Sequence, residues 1–199
     1  MGSAPPVDPR FTPGARFQDA LAYAVAAHAH QTRKAKDTPY VGHVLGVCST
    51  VIEAGGDEDQ TIAALLHDTA EDQGGRERLA DIEHRFGSRV ADIVTALSDT
   101  FEQPKPPWRE RKEGHLAHLE DAPPEVLLVA VADKLHNARS INVDLRIEGN
   151  EIWDRFNGGK DGSIWYYRKL AAIFSRHLPG PLTDEYLRTV DEMRMLAAT

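Results

Sequence analysis

Cysteine is almost absent: Cys48 is the only one in 199 residues. That excludes an internal disulfide and any zinc or iron–sulfur site built from several thiolates, and it suits a cytoplasmic setting. Long hydrophobic runs are missing too, since no apolar stretch approaches the roughly 20 residues that a bilayer-spanning helix needs. Basic charge is in deficit, with 23 Lys and Arg against 31 Asp and Glu and a net charge of −8. A chain of that sign has no general grip on nucleic acid or anionic lipid, so neither is expected as a partner. Any anionic ligand has to be held by a local cluster. The N-terminus has no signal-peptide pattern, and Pro6 stands where a myristoylation motif wants Ser or Thr.

What is present is ordinary for a globular chain: 41% hydrophobic and 27% charged residues, enough for one core. Pro5, Pro6, Pro9 and Pro13 mark residues 1–14 as a loose leader, with a single domain expected over 15–199. Helical spacing then dominates. Phe17, Leu21, Ala24, Val25 and His28 share a face of a first helix. Val44, Leu45, Val47, Val51 and Ile52 form a second, with Cys48 packed as a small apolar residue, and Gly55-Gly56 ends it before Asp57 caps a third through Ile62, Leu65 and Leu66. Two short helices flank Gly87, a proline-rich loop covers 100–107, and a basic helix starts near Trp108. Pro123-Pro124 opens the apolar run Val126–Ala132, read as a buried central helix. Residues 143–162 are expected to be a long connection, and helices over about 163–177 and 183–196 close the chain. No strand alternation appears, so the fold class is all-α.

His67-Asp68 ends the apolar stretch Ala63–Leu66, and polar groups carried on a helix that favours burial are costly without partners. Glu71-Asp72 follow at i,i+4, which stacks four polar groups on one helical face. A bare His-Asp pair is more often an ion network or a solvated helix end; the added pair weakens that reading. Asp133 follows seven apolar residues, with either Lys134 or Arg139 as a salt-bridge partner or a metal ion as its compensation. His43 alone is more often structural. Together, His43, His67, Asp68 and Asp133 offer two imidazoles and two carboxylates, a donor set suited to a divalent ion such as Mn²⁺, with Zn²⁺ or Fe²⁺ allowed by ligand type.

The runs Arg33-Lys34, Thr38-Pro39-Tyr40-Val41-Gly42-His43, Ala63–Asp72, Phe86-Gly87, Glu110-Arg111-Lys112 and Ala132–Arg139 resemble the HD-domain metal-dependent phosphohydrolases. Among these the chain is similar to the hydrolase domain of the Rel/Spo homologues, which degrade guanosine tetra- and pentaphosphate alarmones. The resemblance covers roughly residues 17–177 and implies a helical bundle of about eight to ten helices, a small stand-alone hydrolase. It implies that His43, His67, Asp68 and Asp133 bind one Mn²⁺ and that Glu71 and Asp72 position or deprotonate the attacking water. It further implies substrate contacts from Arg33, Lys34, Lys112, Asn137, Tyr166 and Arg168, with Trp165 packed behind and Phe156–Lys160 forming a lip. The expected substrate is a (p)ppGpp-type nucleotide, split into a nucleoside 5′-di- or triphosphate and pyrophosphate. Arg109 and Arg111 fit a solvated helix face equally well. His115 and His118 are read as surface residues, and His28, His30, His84, His136 and His177 as structural or exposed.

Gln73, where the family often has Thr, and Ala35-Lys36-Asp37 in the loop before His43 depart from the pattern and leave the base, guanine or adenine, open. Alternative readings are an HD-type hydrolase of a nucleoside monophosphate or NADPH, and a metal-binding or partner-neutralising protein. Against the last stand Glu71 and Asp72, which a purely structural metal site does not need.

Overall fold

Ten α-helices and one 3-10 helix follow one another in the computed structural model, which describes residues 11–34, 36–101 and 104–199. Residues 1–10 of the expected leader lie outside the described residues. The helices are α1 (Ala15–Ala27), α2 (Val41–Glu53), α3 (Glu58–Leu66), α4 (Thr69–Asp72), α5 (Gly75–Phe86) and α6 (Ser88–Leu97). They continue with α7 (Trp108–Glu120), α8 (Pro124–Glu148), the 3-10 helix Gly149–Arg155, α9 (Gly159–His177) and α10 (Pro181–Ala197). Among the described residues there is no strand; Thr32 and Pro39 form one isolated antiparallel bridge that closes the loop carrying Arg33. The fold is all-α, as the spacing predicts.

Local chemistry sets the helix ends. Asp57 caps α3 by accepting the Gln60 N–H at 3.0 Å while the Gln60 side chain accepts the Asp57 N–H at 2.9 Å, a reciprocal capping box. Pro124 opens α8, where its missing N–H has no intrahelical partner to lose. From there Val126, Leu127, Val129, Ala130, Val131 and Ala132 are all buried, because α2, α3, α6, α9 and α10 pack around this helix. Leu127 and Leu135 are fully enclosed, and each such side chain contributes roughly 1.5–3 kcal/mol by leaving water. The central helix therefore carries Asp133 into the middle of the core.

Two elements differ from the sequence expectation. The long connection over 143–162 is mostly helical: α8 runs on to Glu148 and the 3-10 helix takes Gly149–Arg155. Its second half is held by α10, where the Asn142 side chain donates to the Thr189 carbonyl at 2.9 Å and Arg146 pairs with Glu192. Polar residues at buried positions, Asn142 and Asp144, break the apolar pattern there and disguise the helix. The third helix also does not run through the His-Asp pair. It stops at Leu66, and the chain turns through His67 and Asp68 before α4. The four polar groups consequently point to different places.

Candidate functional site

α2, the α3–α4 turn and α8 converge so that one ligand atom each of His43, His67 and Asp133 lie within 4.8 Å of one another. His43 Nε2 is 3.2 Å and His67 Nε2 3.7 Å from Asp133 Oδ1. Asp68 joins them, its Oδ2 being 2.9 Å from His67 Nε2 and 3.6 Å from His43 Nε2. All four predicted ligands thus meet at one point, with His43, His67 and Asp133 buried and Asp68 half-buried.

The surrounding bonds orient each ligand. The His67 Nδ1–H donates to the Ala64 carbonyl at 2.8 Å, which leaves the Nε2 lone pair facing the carboxylates. His43 Nδ1 meets His136 Nδ1 at 2.9 Å. Burial and the neighbouring His43 and Arg33 push His136 down to about 4, so it is a neutral acceptor for the His43 Nδ1–H. His136 reaches that position because residue 46 is glycine: a Cβ there would lie 2.4 Å from the His136 ring. Asp133 accepts from Lys134 Nζ and from Asn137 Nδ2, both at 2.6 Å, and Tyr40 donates its phenol to Asp68.

These residues fit a divalent cation. His43 Nε2 and His67 Nε2 are buried with no hydrogen-bond partner among the described residues, an arrangement that costs roughly 1–3 kcal/mol per group unless something is bound there. Burial opposes a charge on His67, but the Asp68 and Asp133 carboxylates outweigh it and push the imidazole well above its ordinary value. Both carboxylates are held well below theirs, despite burial, by the facing histidines and, for Asp133, by Lys134. The centre demands positive charge, and neutral nitrogens with anionic oxygens suit a borderline or hard ion.

The second carboxylate pair divides. Glu71 accepts the Asp99 N–H at 2.7 Å and Lys105 Nζ at 2.8 Å, and it lines a cavity of about 340 Å³. Asp72 turns toward the loop before α2 and accepts from Gln31 Nε2 at 2.8 Å; burial and the charge of Asp68 raise it. The single polar face expected from i,i+4 spacing is therefore split by the bend at His67-Asp68.

The cavity that Glu71 lines also receives Lys112, Lys134, Asn137 and Tyr166. A second cavity of about 240 Å³ is lined by Arg33, Tyr40, Asp144 and Ile141. Lys34, Asn137, Phe156 and Tyr167 line both, making them two halves of one cleft. Asn137 sits at the junction, donating to Asp133 and accepting from Arg33 Nη2 at 2.7 Å. Lys112 lies 3.3 Å from Asp99 and 4.9 Å from the Tyr166 ring centroid; burial, with Lys134 and Arg111 alongside, pushes its ammonium down to about 7.

Two sequence expectations are corrected. Arg168 does not face the cleft. It is exposed in a separate surface groove with Trp165 and Lys169, because residues two apart on a helix point about 200° apart and Tyr166 takes the inward side. Trp165 lies on that outer side as well, with the Arg109 guanidinium 3.4 Å from its ring centroid. His115 is buried rather than at the surface, without a hydrogen-bond partner at either nitrogen among the described residues, and pushed down to about 2 by burial, Lys134 and Lys112. His118 is exposed, as expected. The sequence gives no site role to Tyr40, His136, Tyr167 or Asp144; Tyr40 and His136 lie within the family-like motifs and Tyr167 beside Tyr166 in one aromatic run, whereas Asp144 carries no local signal.

An all-helical fold whose central helix delivers a carboxylate to a His/Asp cluster fitted to a divalent ion has the architecture of an HD domain. The HD domain family model matches residues 20–164, and the chain belongs to this family. It is 35% identical over 136 residues to guanosine-3′,5′-bis(diphosphate) 3′-pyrophosphohydrolase MESH1 of Drosophila melanogaster, covering 66% of this chain and 73% of that protein. It is 37% identical over 122 residues to the Mus musculus protein of the same name, covering 59% and 65%. Among solved structures it resembles a metazoan orthologue of SpoT that hydrolyses ppGpp, with a TM-score of 0.73 and 28% identity over 94% of this chain and 99% of the other. No helix is long and apolar enough to cross a membrane among the described residues.

Proposed function

We propose that this chain is a cytoplasmic Mn²⁺-dependent hydrolase that removes the 3′-diphosphate from guanosine 3′,5′-bis(diphosphate) and related alarmone nucleotides. The observation that carries this reading is the two-part cleft joined at Asn137 beside the His/Asp centre. One half gathers Lys112 and Lys134 beside the shared Lys34 and suits phosphate groups; the other exposes more apolar than polar wall and suits a nucleoside. The names of the relatives point the same way.

His43, His67, Asp68 and Asp133 would hold the ion. A divalent ion held there would make the attacking water more acidic and offset charge on the attacked phosphoryl group. Glu71, which lines the phosphate half, takes one proton from the attacking water. Water oxygen bonds to the phosphorus attached to O3′, the P–O3′ bond breaks, and the proton passes to the O3′ oxygen. The products are a nucleoside 5′-diphosphate and pyrophosphate. Asp72, held by Gln31 behind the turn, is the second carboxylate available to position the attacking water. Asn137 keeps Arg33 beside the nucleoside while holding Asp133.

Purified protein loaded with Mn²⁺ should release pyrophosphate from guanosine 3′,5′-bis(diphosphate) and leave nucleoside monophosphates intact. Preferential turnover of NADPH or of a monophosphate would replace this substrate class, and binding without turnover of any of them would favour a binding protein.

A further inference from the structure

The nucleoside half contains a buried carboxylate that neither metal binding nor water activation uses. Asp144 is 7% exposed and lies on α8 one turn beyond Ser140 and two turns beyond Asn137, so these three residues line one strip of the cavity. From the loop closed by the Thr32–Pro39 bridge, the Lys36 ammonium reaches down to pair with Asp144 Oδ1. Arg155 Nη1 stands 3.8 Å from the other oxygen, Oδ2. The side walls are Ile141, Phe156, Tyr167 and Tyr40, with the Arg33 guanidinium 5.6 Å from the Tyr40 ring centroid. This half of the cleft thus sets one ammonium and one carboxylate beside aromatic and aliphatic side chains, with the Arg155 guanidinium on the far oxygen of the carboxylate.

We propose that the Lys36–Asp144 pair reads the edge of the purine base and makes the site selective for guanine over adenine. This inference rests on the alarmone-hydrolase reading above. Guanine presents two adjacent donors, N1–H and the N2 amino group, beside the O6 acceptor. A carboxylate, which only accepts, pairs with the two donors, and an ammonium, which only donates, pairs with O6. Adenine presents a single amino donor beside a bare N1 lone pair, so facing the same carboxylate it leaves acceptor against acceptor. Selection against adenine then comes from that mismatch as much as from attraction to guanine. A bidentate pair of this kind discriminates by about 1–3 kcal/mol, or roughly 5- to 150-fold.

The pair also ties the Lys36 loop to α8, and a purely tethering role must be separated from base reading. Loss of a tether weakens both nucleotides by the same factor; loss of base reading changes their ratio. The test therefore measures kcat/KM of the Mn²⁺-loaded full chain on guanosine and adenosine 3′,5′-bis(diphosphate), and the binding of GDP and ADP by calorimetry. Wild type should favour guanine at least tenfold in both measurements. Asp144→Asn, which replaces half of the carboxylate by a donor, should reduce that ratio tenfold or more. Lys36→Met, on the loop and away from the core, should lower guanine use more than adenine use, and it serves as the second variant should Asp144→Asn fail to fold. A guanine preference absent from wild type, or unchanged in both variants, overturns the inference while turnover of either nucleotide keeps the hydrolase reading. Guanine preference in GDP binding that disappears in the variants, without turnover of either substrate, sinks the hydrolase reading and keeps the base assignment.

Discussion

The two halves of the cleft are built from opposite materials. In the phosphate half most charges are already paired inside the protein, Arg111 with Asp99, Lys105 with Glu71 and Lys134 with Asp133, while Lys112, 3.3 Å from Asp99, is pushed down to about 7 by burial and its cationic neighbours. In the nucleoside half, Tyr40, Ile141, Phe156 and Tyr167 supply apolar wall between polar groups, Arg33 held by Asn137 and Lys36 by Asp144 among them. The difference shows how a chain of net charge −8 can hold a highly anionic ligand. Its cations are stored against carboxylates within hydrogen-bond reach, so the site carries little long-range field but keeps short-range donors in place. A phosphate entering that half exchanges partners with Asp99 and Glu71 instead of creating new ion pairs from solvated side chains.

The largest effect is expected from the centre that both halves share. His67→Ala should lose the bound metal and all turnover, because the three remaining ligands no longer close the site; elemental analysis of wild type should give about one Mn²⁺ per chain by ligand count. Metal retained at full occupancy in the variant would remove His67 from the centre. Glu71→Gln acts only within the phosphate half. It should keep the ion and its stoichiometry while kcat falls by about 10²–10⁴-fold, the usual scale of general-base assistance. Turnover equal to wild type would leave Glu71 as no more than a partner of Lys105 and the Asp99 backbone.

A smaller effect sharpens the contrast between the halves. Lys112→Ala should raise both KM for guanosine 3′,5′-bis(diphosphate) and the inhibition constant of inorganic pyrophosphate, by roughly 10- to 100-fold for a charge-assisted contact. Arg33→Ala should raise KM for the nucleotide by roughly tenfold and leave pyrophosphate inhibition unchanged, since Arg33 lines only the nucleoside half. Parallel changes in both constants for both variants would mean that the cleft is one undivided site.

Charges stranded at the end of apolar runs were the most legible part of the sequence. His67-Asp68 after Ala63–Leu66 and Asp133 after Val126–Ala132 stand out because burial without partners is expensive, and the structure brings them together with His43. Helix type and order were legible from apolar spacing for the same energetic reason. What escaped depends on tertiary contacts. The second half of α8 is polar in pattern because α10 takes up the Asn142 amide N–H groups and Lys36 pairs with Asp144. His115 sits among Glu113, His118 and Lys112, and only the packing of α9, with Tyr166 6.2 Å away, makes it a core residue. Arg168 was grouped with Tyr166 by adjacency, although the helical repeat separates them. Gly46 looks like a weak point in α2 until His136 is seen to occupy the space its side chain would fill.

The smallest predicted effect reports on charge storage directly. Lys112 is pushed down to about 7 from an ordinary 10.5 by burial and by Lys134 and Arg111. Between those two values the unfolded chain binds a proton at this position that the folded, unliganded chain does not, so folding stability contributed by this group rises with pH across the window, by at most about 1.4 kcal/mol per unit. Denaturant unfolding at the two ends of the window should therefore show a larger gain in wild type than in Lys112→Met. Pyrophosphate bound beside Lys112 supplies the negative charge that restores the ammonium. Binding at pH 8 should accordingly take up close to one more proton in wild type than in Lys112→Met, visible as a difference in how the calorimetric enthalpy varies with the ionisation enthalpy of the buffer. Pyrophosphate's own titration contributes to both proteins, and the metal content of the two should be the same. An equal uptake in the variant would assign the proton to another group of the phosphate half, and Lys112 would then be charged before the ligand arrives, held by Asp99 at 3.3 Å.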